Sequence, residues 1–552
     1  MRGEKLVRRS LEWIGIAATL LLGGVLIFHR LDNRALWSDE AETALLAESI
    51  LRVGIPKIEP NAAWLYAPSM GWINEDGIWI WTPWLDEYVA ALSFSVFSPT
   101  RWSARFPFAL VGWLAGGWLM YLVYRTTRSL SWAIVGGLLF FTSLPLLYHI
   151  RQCRYYSLSL GASLLLAHGF LASLQGRHRL ARWEMAGSLL IQFFTLTPMA
   201  IASSVSLAAA HWVIPSHRSA YRRDCFLAIL PMFLLGGGWL AWSKPAGQGG
   251  NLTLGSTLDH ALHYGIWMHS FVVPALLLLV LAWPTSPKTT ANALDQSPLR
   301  ALRMWSLILA GTVLGMVSLI QYDAVRYLVP IIPVLYLALT TKAQLLWDRP
   351  VVGIVFALFW ASSNLLSQIP PLARYPLPRL GDYWEELGRP YVGPVEEVAE
   401  YLSQQAHPGD LILTADEELS LAFETRLRFR CAIDPASAPL RSMTDLVRES
   451  IRGTIYTSTI DPSLTPRPDW ILAESIGRTF GGQNRVELPD SWKDAYEEIP
   501  HTIPDGTASD SDLDPASRVL HSPSARRALR LYRLRTPRPA SSPREPTVQP
   551  RP

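Results

Sequence analysis

Three carboxyl groups are packed into six residues, Trp37-Ser38-Asp39-Glu40-Ala41-Glu42. Such groups can take a proton from a reacting hydroxyl or amine when the fold presents them to it. Their setting makes them candidates. The apolar run from Leu11 to Phe28 just before them is long enough to span a bilayer. Arg2, Lys5, Arg8 and Arg9 precede that run, so the positive-inside rule keeps the N-terminus in the cytoplasm and turns the acidic cluster to the other side. Ionisable groups at a membrane boundary are costly unless something uses them. A structural reading stands beside this one: Ser38 or Asp39 followed by Glu42 fits a helix N-cap with a capping box.

The rest of the chain has to place this cluster. Of 552 residues, 50% are hydrophobic and only 17% charged, with 23 Trp, the profile of a protein with many spans and aromatic residues at the interfaces. The net charge of +4 is spread between loops and gives no footprint for nucleic acid. The three cysteines, Cys153, Cys225 and Cys431, lie far apart and form neither a disulfide framework nor a metal-ligand pattern. His29-Arg30-Leu31-Asp32 follows the first apolar run without a small-residue cleavage pattern, so that run reads as a retained anchor.

Further spans are expected at Phe106–Tyr124, Leu130–Tyr148, Tyr156–Leu174, Trp183–Thr197, Pro198–Ile214, Cys225–Trp242, Tyr264–Trp283, Met304–Ile320, Tyr327–Thr341 and Val351–Ile369. With the first, that makes about eleven. The break at Thr197-Pro198 is read as a turn between two spans, because arginines and lysines at 125–128, 177–182, 218–223, 288–303 and 342–349 then all fall in the cytoplasm. The expected organisation is a cytoplasmic tail (1–10), a membrane domain (11–369) with a large first outer loop (29–105), an extracytoplasmic α/β domain (370–535) and a disordered tail (536–552).

Within the outer loop, Glu40 to Val53 reads as a short amphipathic helix on the membrane surface, ended by Gly54 and Pro56. Leu85 to Phe97 is too short to span and reads as interfacial or re-entrant. In the tail, Val395–Leu402 reads as a helix, and Asp410–Thr414, Trp470–Leu472 and Leu529–Leu534 read as strands. No internal repeat, Gly-rich phosphate loop or HExxH motif is present. Asn251-Leu252-Thr253 matches a glycosylation sequon, meaningful only in a eukaryotic secretory context.

LWSDEAETALLAESIL in the first outer loop, TPWLDEYVAALSFSVFSPTRWSARFPFALVG after it, RQCRYYSLSL at an outer helix boundary and VRYLVPIIPVLYLAL late in the membrane region together resemble the glycosyltransferase C superfamily. The branch they are most similar to is that of the dolichyl-phosphate-mannose protein mannosyltransferases and the lipid A aminoarabinose transferase. The resemblance implies a multi-pass enzyme, in the plasma (inner) membrane if bacterial. Such an enzyme transfers a hexosyl or pentosyl group from a polyprenyl-phosphate carrier to a protein, lipid or glycan acceptor on the outer face, with inversion. It also implies that Asp39 acts on the acceptor, with Glu40 as its adjacent partner. The chain departs from the pattern at Thr82-Pro83-Trp84, where relatives often carry a basic residue or His before Pro-Pro, and at Glu42, where the aminoarabinose branch has a basic residue.

Displacing a polyprenyl phosphate from an anomeric carbon needs a base for the acceptor proton and cations for the departing phosphate. Asp39 fits the base. Arg105, Arg151, Arg154 and Arg326 all fall at expected outer helix ends and can converge on a phosphate at headgroup level, or can snorkel there. Tyr155, Tyr156 and Tyr327 beside them suit isoprenoid or sugar packing, or an aromatic belt. Asp86 and Glu87 form a second acidic pair for acceptor or divalent metal, or a solvated helix start. His260, His263 and His269 lack a companion ligand set and read as structural. Two other function classes fit the same span pattern: a transporter or lipid flippase, and a relic enzyme serving as an assembly scaffold.

Overall fold

The computed structural model describes residues 2–58, 72–212, 218–243, 254–273, 290–320, 325–346, 380–415, 419–431, 455–460, 466–474, 483–505 and 524–535, with single residues 462, 464 and 476. The last expected span, Val351–Ile369, the sequon at Asn251 and the expected disordered tail lie outside the described residues. The chain divides into two compact units, the larger over Met1–Lys57 and Gly71–Tyr391 and the smaller over Val392–Ser509 and Ser522–Pro552.

The larger unit is helical. Its elements are α1 (Arg2–Phe28), α2 (Ser38–Val53), α3 (Leu85–Val96), α4 (Arg101–Thr127), α5 (Leu130–Phe141), α6 (Leu144–Ile150), α7 (Tyr156–Leu174), α8 (His178–Phe193) and α9 (Thr197–Ala210). They continue with α10 (Arg218–Ser243), α11 (Leu254–Trp267), α12 (Thr290–Ser318), a 3-10 turn (Val325–Ile331), α13 (Ile332–Leu346) and α14 (Leu380–Gly388). Among the described residues, six helices are long and apolar enough to cross a membrane, or seven if α5 and α6 count as one bent span. This is the make-up of an integral membrane protein.

The count of about eleven is not confirmed among the described residues: the expected span Val351–Ile369 and the part of Tyr264–Trp283 from residue 274 on lie outside them, and other expected spans are broken or short. The expected span Leu130–Tyr148 is broken: α5 and α6 meet at 66°. Pro145 has no N–H to give the carbonyl of Phe141, which weakens a continuous helix here and favours the bend. The region around Pro198 does form two helices, α8 and α9, which pack on each other, but at 16 and 14 residues both are shorter than a straight span requires.

Burial separates centre from rim. The span ending in α13 is 89% buried in its most apolar window, against 22% for those of α1 and α10, whose Leu21, Phe233 and Leu234 point outward. Small residues let the helices close: a methyl group at Gly23 of α1 or Gly116 of α4 would overlap the ring of Phe141. His260 and His263 lie on α11, flanking the ring of Tyr264. At one end of the bundle Asp224 of α10 accepts from Ser173, His178 and Arg182 at 2.8, 2.6 and 2.8 Å, locking α7, α8 and α10 together.

The smaller unit holds α15 (Pro394–Gln405), β1 (Leu411–Thr414), α16 (Leu419–Thr425), β2 (Arg428–Cys431), β3 (Ile455–Thr459), β4 (Trp470–Leu472), β5 (Gln483–Glu487), α17 (Asp490–Lys493), β6 (Tyr496–Pro504) and β7 (Arg526–Leu534). Five strands form one sheet in the order β2-β1-β4-β7-β6, and β3 pairs with β5. The first three run parallel, with Ile412 beside both Phe429 and Trp470, whereas β7 runs antiparallel to β4 and β6. Every residue of β1 is buried, as befits a central strand reading LILT. The unit begins at Val392 and not at residue 370, because α14 belongs to the helical unit: its Tyr383 and Leu387 are core residues there, and the Tyr383 hydroxyl donates to the Leu26 carbonyl at 2.8 Å.

Candidate active site

The acidic cluster becomes geometry in α2. Its Ala41, Ala44, Ala47 and Ile50 are buried and the helix packs along α3, while Leu51 and Val53 point away. The buried stripe takes in Leu46 and Ile50, as the apolar residues suggest, together with the three alanines, and leaves out Val53. Gly54, at φ +83°, ends the helix and donates to the Ile50 carbonyl at 2.8 Å, a left-handed turn that favours glycine. At the other end Trp37 is the cap residue, so Ser38 and Asp39 already lie inside the helix and the expected Ser38/Asp39–Glu42 capping box does not form. Glu40 instead accepts the Trp37 N–H at 3.4 Å.

Helical spacing then sorts the three carboxylates. Asp39 and Glu42, three apart, share a side, with Thr43 one turn beyond Asp39, whereas Glu40 is turned about 100° from Asp39. Glu40 meets Arg105 of α4 side-on, at 2.8 Å (Nε to Oε1) and 2.6 Å (Nη2 to Oε2), and accepts the Cys153 N–H at 2.7 Å. The remaining donors of Arg105 go to the carbonyls of Leu31, Arg34 and Ala35 at 3.0, 2.9 and 3.0 Å. All five N–H groups of Arg105 are thereby used, and Glu40 is 1% exposed. This pair is a brace.

The other side of α2 meets the α6–α7 connection. Arg154 donates from Nη1 to Glu42 at 2.9 Å and to the Thr43 hydroxyl at 2.8 Å, and from Nη2 to Asp39 Oδ2 at 3.3 Å. Arg326, entering from the 3-10 turn before α13, reaches the same Oδ2 at 3.1 Å, with its guanidinium over the rings of Trp37 and Tyr327. Asp39 Oδ2 thus takes both cations, while Oδ1 receives no hydrogen bond from a described residue and the side chain is 24% exposed. The Arg154 Nε is buried without a hydrogen-bond partner.

Asp86 and Glu87, in the first turn of α3, are 2% and 0% exposed, not a solvated helix start. Burial pushes both carboxyls above their ordinary range, Glu87 farther because Asp86 adds to it. Asp86 Oδ1 and both carboxyl oxygens of Glu87 are buried without a hydrogen-bond partner among the described residues. Burial likewise raises Glu42, to about 7, against the attraction of Arg154 and with help from Asp39 and Asp86. Burial opposes the charge on Arg154, but Asp39, Glu42 and Asp86 outweigh it and hold the guanidinium charged. Four carboxyl groups thus crowd two arginines. Among the described residues no group of His, Cys, Asp and Glu is arranged to hold a metal ion.

Not every expected contact lies here. Arg151 donates from Nη1 to the carbonyls of Leu26, Ile27 and His29 at 3.2, 2.8 and 2.9 Å, and from Nη2 to that of Arg30 at 2.8 Å. It caps the C-terminal end of α1, where helix carbonyls run out of intrahelical donors, sharing the Leu26 carbonyl with Tyr383. Tyr156 is fully buried against His149 and Tyr155 and is part of the core. Tyr155 lies under Arg154, and burial with Tyr156 and Tyr327 nearby pushes its hydroxyl well up. A cleft of about 510 Å³, counted with its open mouth, is lined by Arg34, Trp37, Glu40, Arg105, Arg151 and Glu386, but not by Asp39.

No protein family matches the sequence, and a search of curated proteins finds no match. Solved structures that overlap it include these three. Two are of ArnT from Cupriavidus metallidurans, one bound to undecaprenyl phosphate and one in the apo state; both are 14% identical at a TM-score of 0.48, and the alignments cover 76% and 77% of this chain and 85% and 86% of those. The third is the oligosaccharyltransferase of Archaeoglobus fulgidus in its apo form, 12% identical at a TM-score of 0.41 over 79% of this chain and 66% of that one. ArnT, a lipid A aminoarabinose transferase, and the oligosaccharyltransferase are glycosyltransferase C superfamily members. These overlaps are of backbone arrangement alone.

Sequence reasoning missed Thr43, whose hydroxyl completes the Arg154 cradle; its place four residues after Asp39 was the available signal. It also missed the buried pair of Arg34 and Glu386 at 2.8 Å, with Arg34 over the ring of Tyr391. Nothing local in the sequence marks a pair so far apart.

Proposed function

We propose that this chain is a membrane glycosyltransferase that moves a sugar from a polyprenyl-phosphate donor to an acceptor on the extracytoplasmic face, with Asp39 as general base. The observation that carries the reading is the asymmetry of Asp39. Two arginines fix one oxygen in place, and the other oxygen is left for a proton. In the proposed reaction an acceptor hydroxyl or amine gives its proton to Oδ1 as its heteroatom bonds to the anomeric carbon. The sugar–phosphate C–O bond breaks, and its electron pair leaves with the polyprenyl phosphate. Arg154 and Arg326 sit where that negative charge would be held, and the unused Nε of Arg154 supplies one further donor. Glu42 and the Asp86–Glu87 pair, all within the field of Arg154, are the candidates for acceptor contacts.

The carrier tail also has a wall. An open groove of about 650 Å³, lined by Trp84, Leu85, Tyr88, Ile191, Phe194 and Trp239, adjoins the first turn of α3. Only apolar and aromatic side chains face it, as an isoprenoid chain requires. A transporter or flippase reading draws no support from the site, because its carboxylates lie on α2 and α3, outside the six long apolar helices. The test is purified protein with a panel of polyprenyl-phosphate sugars, following release of polyprenyl phosphate, with mass spectrometry of lipid-linked sugars and glycans in cells with and without the gene. Donors that accumulate in the deletion strain and turn over with purified protein support the reading. No turnover across the panel together with unchanged cellular glycans removes it.

A further inference from the structure

At the far end of α12 and α13 from Asp39 is a group of cations for which the proposed reaction has no use. Arg326 and Lys342 are 16 positions apart (342 − 326) along the 3-10 turn and α13. At helical rise that is roughly 24 Å, most of the thickness of a bilayer core. Arg303, in the part of α12 facing that end, is 3% exposed, and Lys342 is 1% exposed. Arg300 lies one turn before Arg303, and Lys342 is within electrostatic reach of both.

The expected behaviour of an arginine at the end of a membrane helix is to reach outward to water. Arg303 does not. Its guanidinium makes no hydrogen bond or ion pair with any described residue, and its Nη1 is buried without a partner. The charged neighbour that acts on it most is Arg300, another cation. A buried charge within a span is ordinarily paired, and burying two cations together raises the cost. Arg105 and Arg151, by contrast, spend their donors on carboxylate and carbonyl oxygens. Arg303 is built differently, with Nη1 kept inside and no acceptor for it among the described residues.

We propose that Arg303, with Lys342 and Arg300, forms a binding site for a phosphate group at the membrane face opposite Asp39. The guanidinium offers a planar fork that matches two phosphate oxygens, the Lys342 ammonium supplies charge without a fixed angle, and Arg300 adds a second guanidinium. The phosphate comes either from a phospholipid headgroup of that leaflet or from solution. The site stands whether or not Asp39 is a catalytic base.

The full chain is placed in nanodiscs of phosphatidylcholine and its thermal midpoint is followed by tryptophan fluorescence, first with increasing phosphatidylglycerol and separately with inorganic phosphate. At least one probe raises the midpoint, and Arg303→Met weakens the half-saturating concentration about tenfold or more, the order expected for losing a charge-assisted pair. Without either probe, Arg303→Met melts at or above the unmodified midpoint, because an unpaired buried charge has been removed. A response to phosphatidylglycerol alone assigns the lipid headgroup; a response to inorganic phosphate alone assigns the soluble anion. Should Arg303→Met not fold, Arg300→Gln, at an exposed position, carries the test with the same expected weakening. Midpoints that ignore both probes, or that respond equally in the unmodified and substituted proteins, overturn the proposal.

Discussion

Asp39→Asn and Glu40→Gln make the same chemical change at adjacent positions, and the structure assigns them opposite consequences. Asp39 is 24% exposed and holds Arg154 and Arg326 at 3.3 and 3.1 Å through Oδ2. Its amide counterpart still accepts a hydrogen bond there, and Arg154 keeps Glu42 and Thr43 at 2.9 and 2.8 Å. The stability lost is that of a partly exposed pair, about 1 kcal/mol. An amide cannot take up the acceptor proton, so turnover should fall roughly 10²–10⁴-fold, about 3–5 kcal/mol of barrier. Glu40→Gln withdraws the charge from a pair buried to 1% and takes one acceptor from either the Arg105 fork or the Cys153 N–H. Breaking a buried pair costs about 3–5 kcal/mol, so this variant should lose folded protein and midpoint first. The assay measures initial rates of polyprenyl phosphate release per folded molecule, beside thermal midpoints from the intrinsic tryptophans. Asp39→Asn working at close to the unmodified rate would falsify the base assignment, and an activity loss that merely follows its midpoint would refute the division of labour.

Glu42 gives a pH signature. Its folded carboxyl titrates near 7 against an ordinary 4.5, so between those values the folded chain holds a proton that the unfolded chain has released. The stability tied to that proton is fully present below about 4.5 and is lost as pH rises towards 7, and Glu42→Gln should flatten this part of the midpoint–pH curve; parallel curves for the two proteins would count against it. Arg154→Ala should weaken binding of undecaprenyl phosphate, with Arg154→Lys restoring part, whereas Arg151→Ala should lower the midpoint by uncapping α1 and leave the affinity of the folded fraction alone; the reverse pattern in a binding titration exchanges their roles. Reporters fused after Arg128, Arg182 and Lys342 should report cytoplasm, and one in the loop at Gly77 the outside, with the opposite signal at Gly77 putting Asp39 on the wrong face for a lipid-linked donor presented outside.

Much of the fold was legible because its signals are long or sharply bounded. The runs that became α1, α4, α7, α10 and α13 are apolar over enough residues that no soluble helix explains them. LILT after a Pro-Gly turn and WIL before Ala473 became β1 and β4, the two buried central strands. What hydropathy cannot register is where an apolar stretch breaks. The run Leu130–Tyr148 has the composition of one span but forms two helices at 66°, with Pro145 in the first turn of the second. Strands such as β6, YEEIPHTIP, carry charge and proline on an edge and gave no alternation to read.

The site was legible as a collection of charges and illegible as a division of labour. Four arginines at expected outer helix ends look alike in sequence, and carbonyl oxygens contributed by distant segments separate them. Arg105 and Arg151 are claimed by the backbone from Leu26 to Ala35, which has carbonyls to satisfy where α1 ends and the chain turns towards α2. Arg154 is met instead by the carboxylates of Asp39 and Glu42 and the Thr43 hydroxyl, and Arg326 reaches Asp39 as well. The same sorting acts on the acids. Asp39 and Glu40 are neighbours in the chain, but one residue of helix turns them about 100° apart, one towards the brace and the other towards the mobile-proton side of the cluster. A capping box would have tied Glu42 to the backbone and left Arg154 a weaker acidic partner. Because Glu40 reaches back to Trp37 instead, Glu42 stays in the cluster, where burial first, and then the charges of Asp39 and Asp86, raise its pKa against the pull of Arg154.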